Sequence, residues 1–224
     1  MNIMSRKPRI AAVIPFFNEE RTLQEIIRRT LLFCDTVIAV NDGSTDDFLR
    51  HIQINEKIVL ISNKKNQGKG FATTRGMKKS IELNSDITVI IDADLQHPPE
   101  YIPNLTEILG EYDIAVGNRL GSISEMPLLR ILSNKLTSLL LTLKLKQVIY
   151  DSQCGFRAYR TNVLHDILPV SNGYEAETEI LIKAARKNYK IGFVVIPTIY
   201  GSEKSKMKSL QTIRGFLRVY FEHG

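Results

Sequence analysis

Short runs of apolar, mostly β-branched residues alternate with helix-spaced apolar positions through the first half of the chain. This alternation predicts a mostly parallel sheet with helices on both faces, because parallel strands must be joined by crossover connections. Strands are predicted at residues 9–14, 36–40, 58–61, 87–91 and 113–116. Helices are predicted at residues 19–33, from the glycine loop 66–70 to residue 81, and after Pro99.

The second half of the chain is less regular. Its predicted elements are helices at residues 128–145 and 175–187, strands within 151–159 and at 191–196, and a helical stripe from residue 207 onward. A chain of 224 residues with 43% apolar content can bury one sizeable core. We therefore expect a single α/β domain over residues 1–224, in which residues 201–224 form a basic loop and an amphipathic helix.

The charge of the chain favours an anionic partner. Its formal net charge is +6, with much of the excess near the C-terminus. No motif typical of DNA or RNA binding is present, so we do not expect a nucleic-acid partner. The two cysteines lie far apart and no secretory signal precedes Ile10, which favours an intracellular setting.

One apolar segment, residues 136–149, has a possible membrane role. Lys144 and Lys146 interrupt it, so it does not reach the length of a membrane span. As an amphipathic helix it is expected either to lie in a membrane interface or to pack on the core.

Two carboxylates and an amide follow the strand predicted at 87–91. They are Asp92, Asp94 and Gln96. Charges at the end of a buried strand normally have a cationic partner. If the chain stays extended, the three side chains share a face and present oxygen atoms in one direction, as Mg²⁺ or Mn²⁺ requires. The alternative interpretation is a solvated Asp-rich turn ahead of a helix.

Polar clusters also follow the first and second predicted strands, at residues 15–19 and 41–44. In a parallel sheet these clusters and residues 92–94 lie on one edge, where open α/β sheets bind ligands. Asp42 can accept hydrogen bonds from a base or ribose, and Phe17 offers a stacking face. The glycine loop could lie near a diphosphate, although glycines also simply make turns. Together the clusters predict a site for a metal ion and a nucleotide.

The order of these motifs resembles glycosyltransferase family 2 with the GT-A fold, in particular the branch that transfers sugars to polyprenyl or dolichyl phosphate. The matching segments are residues 14–20, 40–46, 91–99, 116–119, 151–159, 173–179 and 197–200. Phe17 stands where the family often has tyrosine, and Asn41 replaces a frequent aspartate. The chain has no tryptophan, which excludes the Gln-x-x-Arg-Trp motif of processive polysaccharide synthases.

The resemblance implies a role for each cluster. A UDP- or GDP-linked sugar would be held through its nucleoside, and Mg²⁺ or Mn²⁺ would bridge its diphosphate. The implied nucleotide-sugar-binding residues are Pro15, Phe17, Glu19, Asp42, Asp92 and, in a basic loop that closes over the donor, Lys204. The implied metal ligands are Asp92, Asp94 and Gln96. The implied ligands of an acceptor phosphate are Arg119, Arg130, Ser133 and Asn134, and the predicted catalytic residues are Asp94, Arg119 and Arg130.

The acceptor decides what else an inverting displacement needs. A sugar hydroxyl must lose a proton to a general base, whereas a lipid monophosphate is already largely a dianion at pH 7. Residues 118–160 are rich in Arg and Lys, which favours a polyprenyl phosphate acceptor. Glu175, Glu177 and Glu179 carry the alternative: one of them could be the base for a hydroxyl acceptor, or they could have structural roles.

We therefore expect an enzyme peripheral on the cytoplasmic face of the membrane, with a separate membrane subunit as a possible partner. A nucleotidyltransferase is disfavoured, because residues 15–19 lack the glycine-rich basic loop that such enzymes carry after the first strand. A non-catalytic module that binds anionic surfaces through the basic tail is a further alternative.

Overall fold

The computed structural model describes residues 6–121, 128–197, 199 and 209–222, without the side chains of residues 129, 130 and 209–211. The strands are β1 Ile10–Phe16, β2 Thr36–Asn41, β3 Ile58–Ser62, β4 Ile87–Ile90, β5 Ile114–Asn118, β6 Arg157–Arg160 and β7 Ile191–Val195. The helices are α1 Leu23–Thr30, α2 Phe48–His51, α3 Lys69–Glu82, α4 Ile102–Glu107, α5 Leu128–Leu145, α6 Leu164–Ile167, α7 Ala176–Arg186 and α8 Ser209–Glu222.

The strands form one sheet in the order β3-β2-β1-β4-β6-β5-β7. Strands β1 to β4 run parallel, and β7 runs parallel to β5. Strand β6 is antiparallel to both of its neighbours, β4 and β5. The mostly parallel α/β fold is therefore confirmed, and the strand predicted within 151–159 enters the sheet from the edge at which the others end.

The core is built around β1, which is buried along its whole length. Helix α3 packs on β1 so closely that a Cβ atom at Gly76 would lie 2.1 Å from Cγ1 of Val13. This contact explains a glycine inside a helix, where it costs about 1 kcal/mol relative to alanine. None of the helices in the described part of the chain is long and apolar enough to cross a bilayer.

The carboxyl ends of β1, β2 and β4 meet on one edge of the sheet, as predicted. Phe16 pairs with Asn41, and Val13 pairs with Ile90. The backbone N–H of Asp42 continues the β1–β2 ladder by donating to the Phe16 carbonyl at 2.8 Å. The polar segments that follow these three strands therefore lie side by side.

Candidate active site

The segment after β4 is a turn and not an extended continuation of the strand. β4 ends at Ile90, and Leu95 has a φ of +60°, a left-handed conformation that branched side chains rarely adopt. The backbone N–H of Gln96 donates to Asp94 Oδ1 at 3.1 Å. The extended conformation predicted for residues 92–96 is therefore wrong. Backbone strain of this kind persists only where the surrounding structure enforces it, and it is concentrated at functional sites.

Asp92 is neutralised by Lys69, the first residue of α3. Lys69 Nζ lies 2.7 Å from Asp92 Oδ1 and 2.8 Å from Glu177 Oε1. The same nitrogen lies 5.6 Å from the centre of the Tyr174 ring. Burial raises the pKa of Asp92, but the charge and hydrogen bond of Lys69, together with the charges of neighbouring basic groups, outweigh burial and hold the pKa below its ordinary value. Asp92 is thus a carboxylate at neutral pH.

Asp94 has the opposite environment. It accepts the hydrogen bond from Gln96, and it forms no salt bridge with any residue that the structure describes. Burial raises the pKa of Asp94 to about 6, and the negative charges of Asp92 and Glu19 add to the effect. Two adjacent carboxylates, one of which forms no salt bridge within the described ranges, attract a divalent ion.

The donor set of this loop fits Mg²⁺ or Mn²⁺. Asp92, Asp94 and Gln96 offer hard oxygen ligands, which these ions prefer. Within the described ranges, no three His, Cys, Asp or Glu side chains converge to form a closed metal cage. A Mg²⁺ ion needs no such cage, because it is usually held by one or two carboxylates together with water and substrate phosphates. Asp94 and Gln96 would hold the ion, with Asp92 beside them.

Asp94→Asn is expected to stabilise the metal-free protein increasingly as the pH rises. A carboxyl group whose pKa is higher in the folded than in the unfolded chain loses stability on ionisation, here between about pH 4 and about pH 6. The amide cannot ionise, so it avoids a cost of up to about 3 kcal/mol for two pKa units. In EDTA, the unfolding temperature of the variant should be higher than that of the wild type at about pH 7.5 and close to it at about pH 4.5.

The control for this experiment is Asp47→Asn, at an exposed pair with Arg50. It should shift the unfolding temperature little at either pH. A wild type as stable as Asp94→Asn at neutral pH would contradict the electrostatic description of Asp94.

Asp42 is buried and fixes the loop that precedes α3. Its carboxylate accepts hydrogen bonds from Asn63 Nδ2 at 2.7 Å, from the Gln67 backbone N–H at 3.0 Å and from the Gly68 backbone N–H at 2.8 Å. Gly68 has a φ of +107°, and a Cβ atom there would lie 2.3 Å from the Asn172 carbonyl oxygen. The glycine loop is therefore required for a close approach between two segments. Asp42 in turn determines where Lys69 begins its helix.

The structure places the other predicted nucleoside ligands on the same edge. Pro15 lies in β1 opposite Val40. Phe17 is the first residue after β1, and its side chain is half-buried. Glu19 is near enough to Asp94 for its charge to raise the pKa of that carboxyl group. Contact of these residues with a nucleoside stays a prediction.

Arg119 forms a buried, bidentate ion pair with Asp151. Its Nε and Nη2 atoms donate to Asp151 at 2.8 and 2.9 Å. Asn134 Nδ2 donates to the same carboxylate at 2.8 Å. Burial lowers the pKa of Arg119, but Asp151 outweighs burial and raises it, so the guanidinium stays charged. The hydrogen bonds of Arg119 to described residues come from its backbone N–H, Nε and Nη2, and none of them comes from Nη1.

The remaining predicted acceptor ligands have different surroundings. Asn134 is buried and turned toward Asp151, whereas the adjacent Ser133 is exposed on α5. Arg130 lies in α5, but its side chain is outside the described residues. Lys204 lies outside the described residues altogether. The roles of all four residues stay predictions.

The three glutamates near the start of α7 have separate partners. Glu175 pairs with Arg218 of α8 at 3.0 Å, and Glu177 pairs with Lys69. Glu179 is fully buried and accepts from the backbone N–H groups of residues 170 and 171, both at 2.9 Å. Glu179 therefore has a structural role, and Glu177 is the glutamate that lies beside Asp92.

Sequence reasoning missed the group formed by Lys69, Asp92 and Glu177. These residues lie far apart in the chain, and no local pattern pairs them. It also missed Gly155, where a Cβ atom would lie 2.8 Å from both Asp92 Oδ2 and Lys69 Nζ. His97 was missed as well: burial and the charge of Arg119 lower its pKa to about 4, so its buried imidazole is neutral at pH 7.

Comparison with protein families identifies the family to which this chain belongs. Residues 11–168 match the model for Glycosyl transferase family 2. The chain belongs to this family. As a family 2 member it is a glycosyltransferase, and the resemblance predicted from its motifs is confirmed.

Two relatives extend the comparison over almost the whole chain. One is the UDP-N-acetylglucosamine–dolichyl-phosphate N-acetylglucosaminyltransferase of Methanococcus voltae, 31% identical over 94% of this chain and 93% of that protein. The other is the dolichol-phosphate mannosyltransferase of Pyrococcus furiosus, 31% identical over 94% of this chain and 62% of that protein.

A solved structure shows the same fold. It is the glucosyl-3-phosphoglycerate synthase of Mycobacterium tuberculosis in complex with Mn²⁺, uridine diphosphate and phosphoglyceric acid. It has a TM-score of 0.75 and 22% identity, and the match covers 96% of this chain and 78% of that chain. At this level of identity the likeness supports the GT-A fold and nothing finer.

Proposed function

We propose that this glycosyltransferase moves a sugar from a UDP- or GDP-linked donor to a polyprenyl phosphate, with inversion at the anomeric carbon and with Mg²⁺ or Mn²⁺ as its cofactor. The observation that carries the proposal is the pair Asp92 and Asp94 on the carboxyl edge of the sheet, near the charged and buried Arg119. The names of the two relatives, which act on dolichyl phosphates, support a lipid phosphate as the acceptor.

In the proposed reaction, some residues bind the metal ion and others bind the acceptor phosphate. Asp94 and Gln96 would hold a divalent ion, and Asp92 is kept ionised beside them by Lys69. The ion would supply charge that offsets the negative charge of a departing diphosphate. Arg119 offers Nη1 to the acceptor phosphate, while Asp151 fixes the orientation of its guanidinium group. Arg130 is proposed to complete the grip on the phosphate.

The proposed chemistry needs no general base. A lipid monophosphate, with a second pKa of about 6, presents an ionised oxygen for attack on the anomeric carbon at pH 7. Transfer to a hydroxyl group is the second candidate function, and Glu177 is the residue that favours it. The carboxylate of Glu177 shares Lys69 with Asp92, so it lies close to the proposed metal ligands.

An exposed apolar face supports attachment of the enzyme to a membrane surface. Helix α5 packs on the protein through Asn134, Ser138 and Leu141. Its opposite face carries exposed leucines at helical spacing, namely Leu128, Leu132, Leu136, Leu139 and Leu143. We call these five residues the leucine face. A continuous stripe of this kind marks an interaction surface and not isolated surface leucines.

Helix α8 contacts α5 and carries an exposed apolar stripe of its own. It buries Phe216 and Val219 and exposes Ile213, Leu217 and Phe221. Tyr220 joins the two helices, because its hydroxyl group donates to the Leu140 carbonyl at 3.5 Å and its own carbonyl accepts from Lys144 Nζ. Apolar helices with flanking lysines and arginines suit the interface of an anionic bilayer. We propose that this surface brings the site to its lipid acceptor.

The double variant Leu132→Gln, Leu136→Gln is expected to weaken vesicle binding at least about tenfold, because each leucine contributes roughly 1.5–3 kcal/mol when fully buried. Co-sedimentation with vesicles that contain anionic phospholipid measures the effect. The matched control is Leu49→Gln, at an exposed leucine of α2. Equal binding of both variants would contradict the membrane role. If the wild-type protein does not co-sediment with vesicles, binding of a separate protein subunit to the leucine face is favoured instead.

The donor and acceptor are tested together. Thermal unfolding with Mn²⁺ and a panel of UDP- and GDP-linked sugars identifies the donor, because a bound ligand raises the apparent stability by mass action. The labelled donor is then incubated with a polyprenyl phosphate, with and without EDTA. We expect labelled lipid that EDTA abolishes. Labelling of soluble glycans but never of the lipid would overturn the proposed acceptor.

A further inference from the structure

Lys69 lies where three segments of the chain meet: the start of α3, the loop after β4 and the first turn of α7. Its side chain and those of Asp92 and Glu177 are largely buried, with exposed fractions of 21%, 22% and 16%. The backbone of Gly155 closes the group, because a Cβ atom there would lie within 3.1 Å of a polar atom of each. The three side chains form a largely buried ionic cluster and not a solvated surface contact.

The group places one positive charge beside the proposed metal ligands. Asp92 and Asp94 attract a divalent ion, whereas Lys69, in contact with Asp92, repels it. The same ammonium group attracts the anionic diphosphate of a donor. Lys69 therefore disfavours binding of the divalent ion and favours binding of the diphosphate. Glu177 competes with Asp92 for the lysine charge, so it determines how strongly that charge acts on Asp92.

We propose that Lys69 couples metal binding to donor binding by weakening the binding of a divalent ion alone and strengthening the binding of the nucleoside diphosphate. Lys69 is then a positioning residue, which holds the Asp92 carboxylate and balances its charge. Glu177 is a second positioning residue, which draws the ammonium group partly away from Asp92. The inference rests on the proposed function, since it assigns this edge of the sheet to a nucleotide sugar.

The competing interpretation is that Lys69 has only a structural role, in which its salt bridge with Glu177 holds α3 against α7. Loss of a structural pin loosens the whole site, so it weakens the binding of metal and nucleotide alike. Loss of a coupling charge moves the two affinities in opposite directions. The two interpretations therefore differ in the sign of one measurable quantity.

Calorimetric titration with Mn²⁺ alone is the first arm of the test. We expect Lys69→Met to bind Mn²⁺ at least about fivefold more tightly than the wild type, because a repelling charge is removed from beside the proposed metal ligand Asp92. Glu177→Gln should bind Mn²⁺ more weakly, since Lys69 then faces Asp92 alone. Lys69→Arg keeps the charge and should stay near the wild type. Lys79→Met, at a surface pair on the same helix, is the matched control.

Titration with UDP or GDP in the presence of Mn²⁺ is the second arm, and here Lys69→Met should bind at least about fivefold more weakly. Parallel weakening in both arms, or an unchanged Mn²⁺ affinity in a variant that still unfolds cooperatively, overturns the coupling. If opposite shifts occur but no sugar reaches a lipid phosphate, the coupling stands and the proposed acceptor falls. If the wild type takes up no Mn²⁺ with either nucleotide, both are overturned.

Discussion

Asp94→Ala is expected to lower the rate of sugar transfer at least about a thousandfold, because it removes the carboxylate that would hold the ion against the departing diphosphate. Asp94 is the better choice for this test because, unlike Asp92, it forms no salt bridge with any side chain that the structure describes. The rate is measured with labelled nucleotide sugar under saturating Mn²⁺. Asp94→Asn should be impaired similarly, since the amide keeps the shape and loses the charge.

The matched control is Asp166→Ala, which removes an exposed partner of Lys187. It should leave the transfer rate within about twofold of the wild type, because surface pairs of this kind contribute little. An Asp94→Ala enzyme that retains full activity, or a wild type indifferent to EDTA, would contradict the metal role of this loop.

Asp151→Ala is expected to lower the free energy of unfolding by about 3–5 kcal/mol, because it leaves the guanidinium of Arg119 buried without a counter-charge. Asp151 is fully buried and accepts from Arg119, Asn134 and the Gln153 backbone N–H. Burial raises the pKa of Asp151, but Arg119 outweighs burial and lowers it, so the pair stabilises the protein at neutral pH and is lost as the pH falls through that depressed pKa. Urea unfolding measures the change.

The control is Asp47→Ala, at a pair in which both side chains are mostly exposed. It should cost less than about 1 kcal/mol. A double variant that also carries Arg119→Met should recover part of the stability lost in Asp151→Ala, since no charge is then left unpaired. Equal losses in the single and double variants would show that the ion pair does not dominate this region.

The secondary structure was predictable wherever apolar residues recurred at a regular helical or strand spacing over a long segment. The helical spacing at residues 128–145 predicted the bounds of α5 as observed, and the alternation of strands and helices predicted the parallel sheet and the edge that carries Asp42 and Asp92. Both patterns arise from burial of apolar side chains, which a sequence displays directly. Strand direction is not displayed in that way, so the antiparallel β6 was not predicted.

The details of the site depend on contacts that no local pattern records. An aspartate followed two residues later by another is compatible with a strand or a turn, and here the left-handed Leu95 decides for a turn. The glycine loop at residues 66–70 was recognisable in the sequence, but the partners of its Lys69, Asp92 and Glu177, come from other segments of the chain. The stripe on α8 likewise showed apolar spacing without showing that Phe216 faces the core and Leu217 faces solvent.

The proposed nucleophile is a phosphate oxygen held by Arg119, not a hydroxyl group activated by a glutamate. The two are distinguished by a transfer assay with two lipids of equal length, a polyprenyl phosphate and the corresponding polyprenol, and the same labelled donor. We expect label in the phosphate lipid alone, as a product that mild acid cleaves back to sugar and lipid phosphate. Transfer to the polyprenol, lost on Glu177→Gln and absent with the phosphate, would contradict the account.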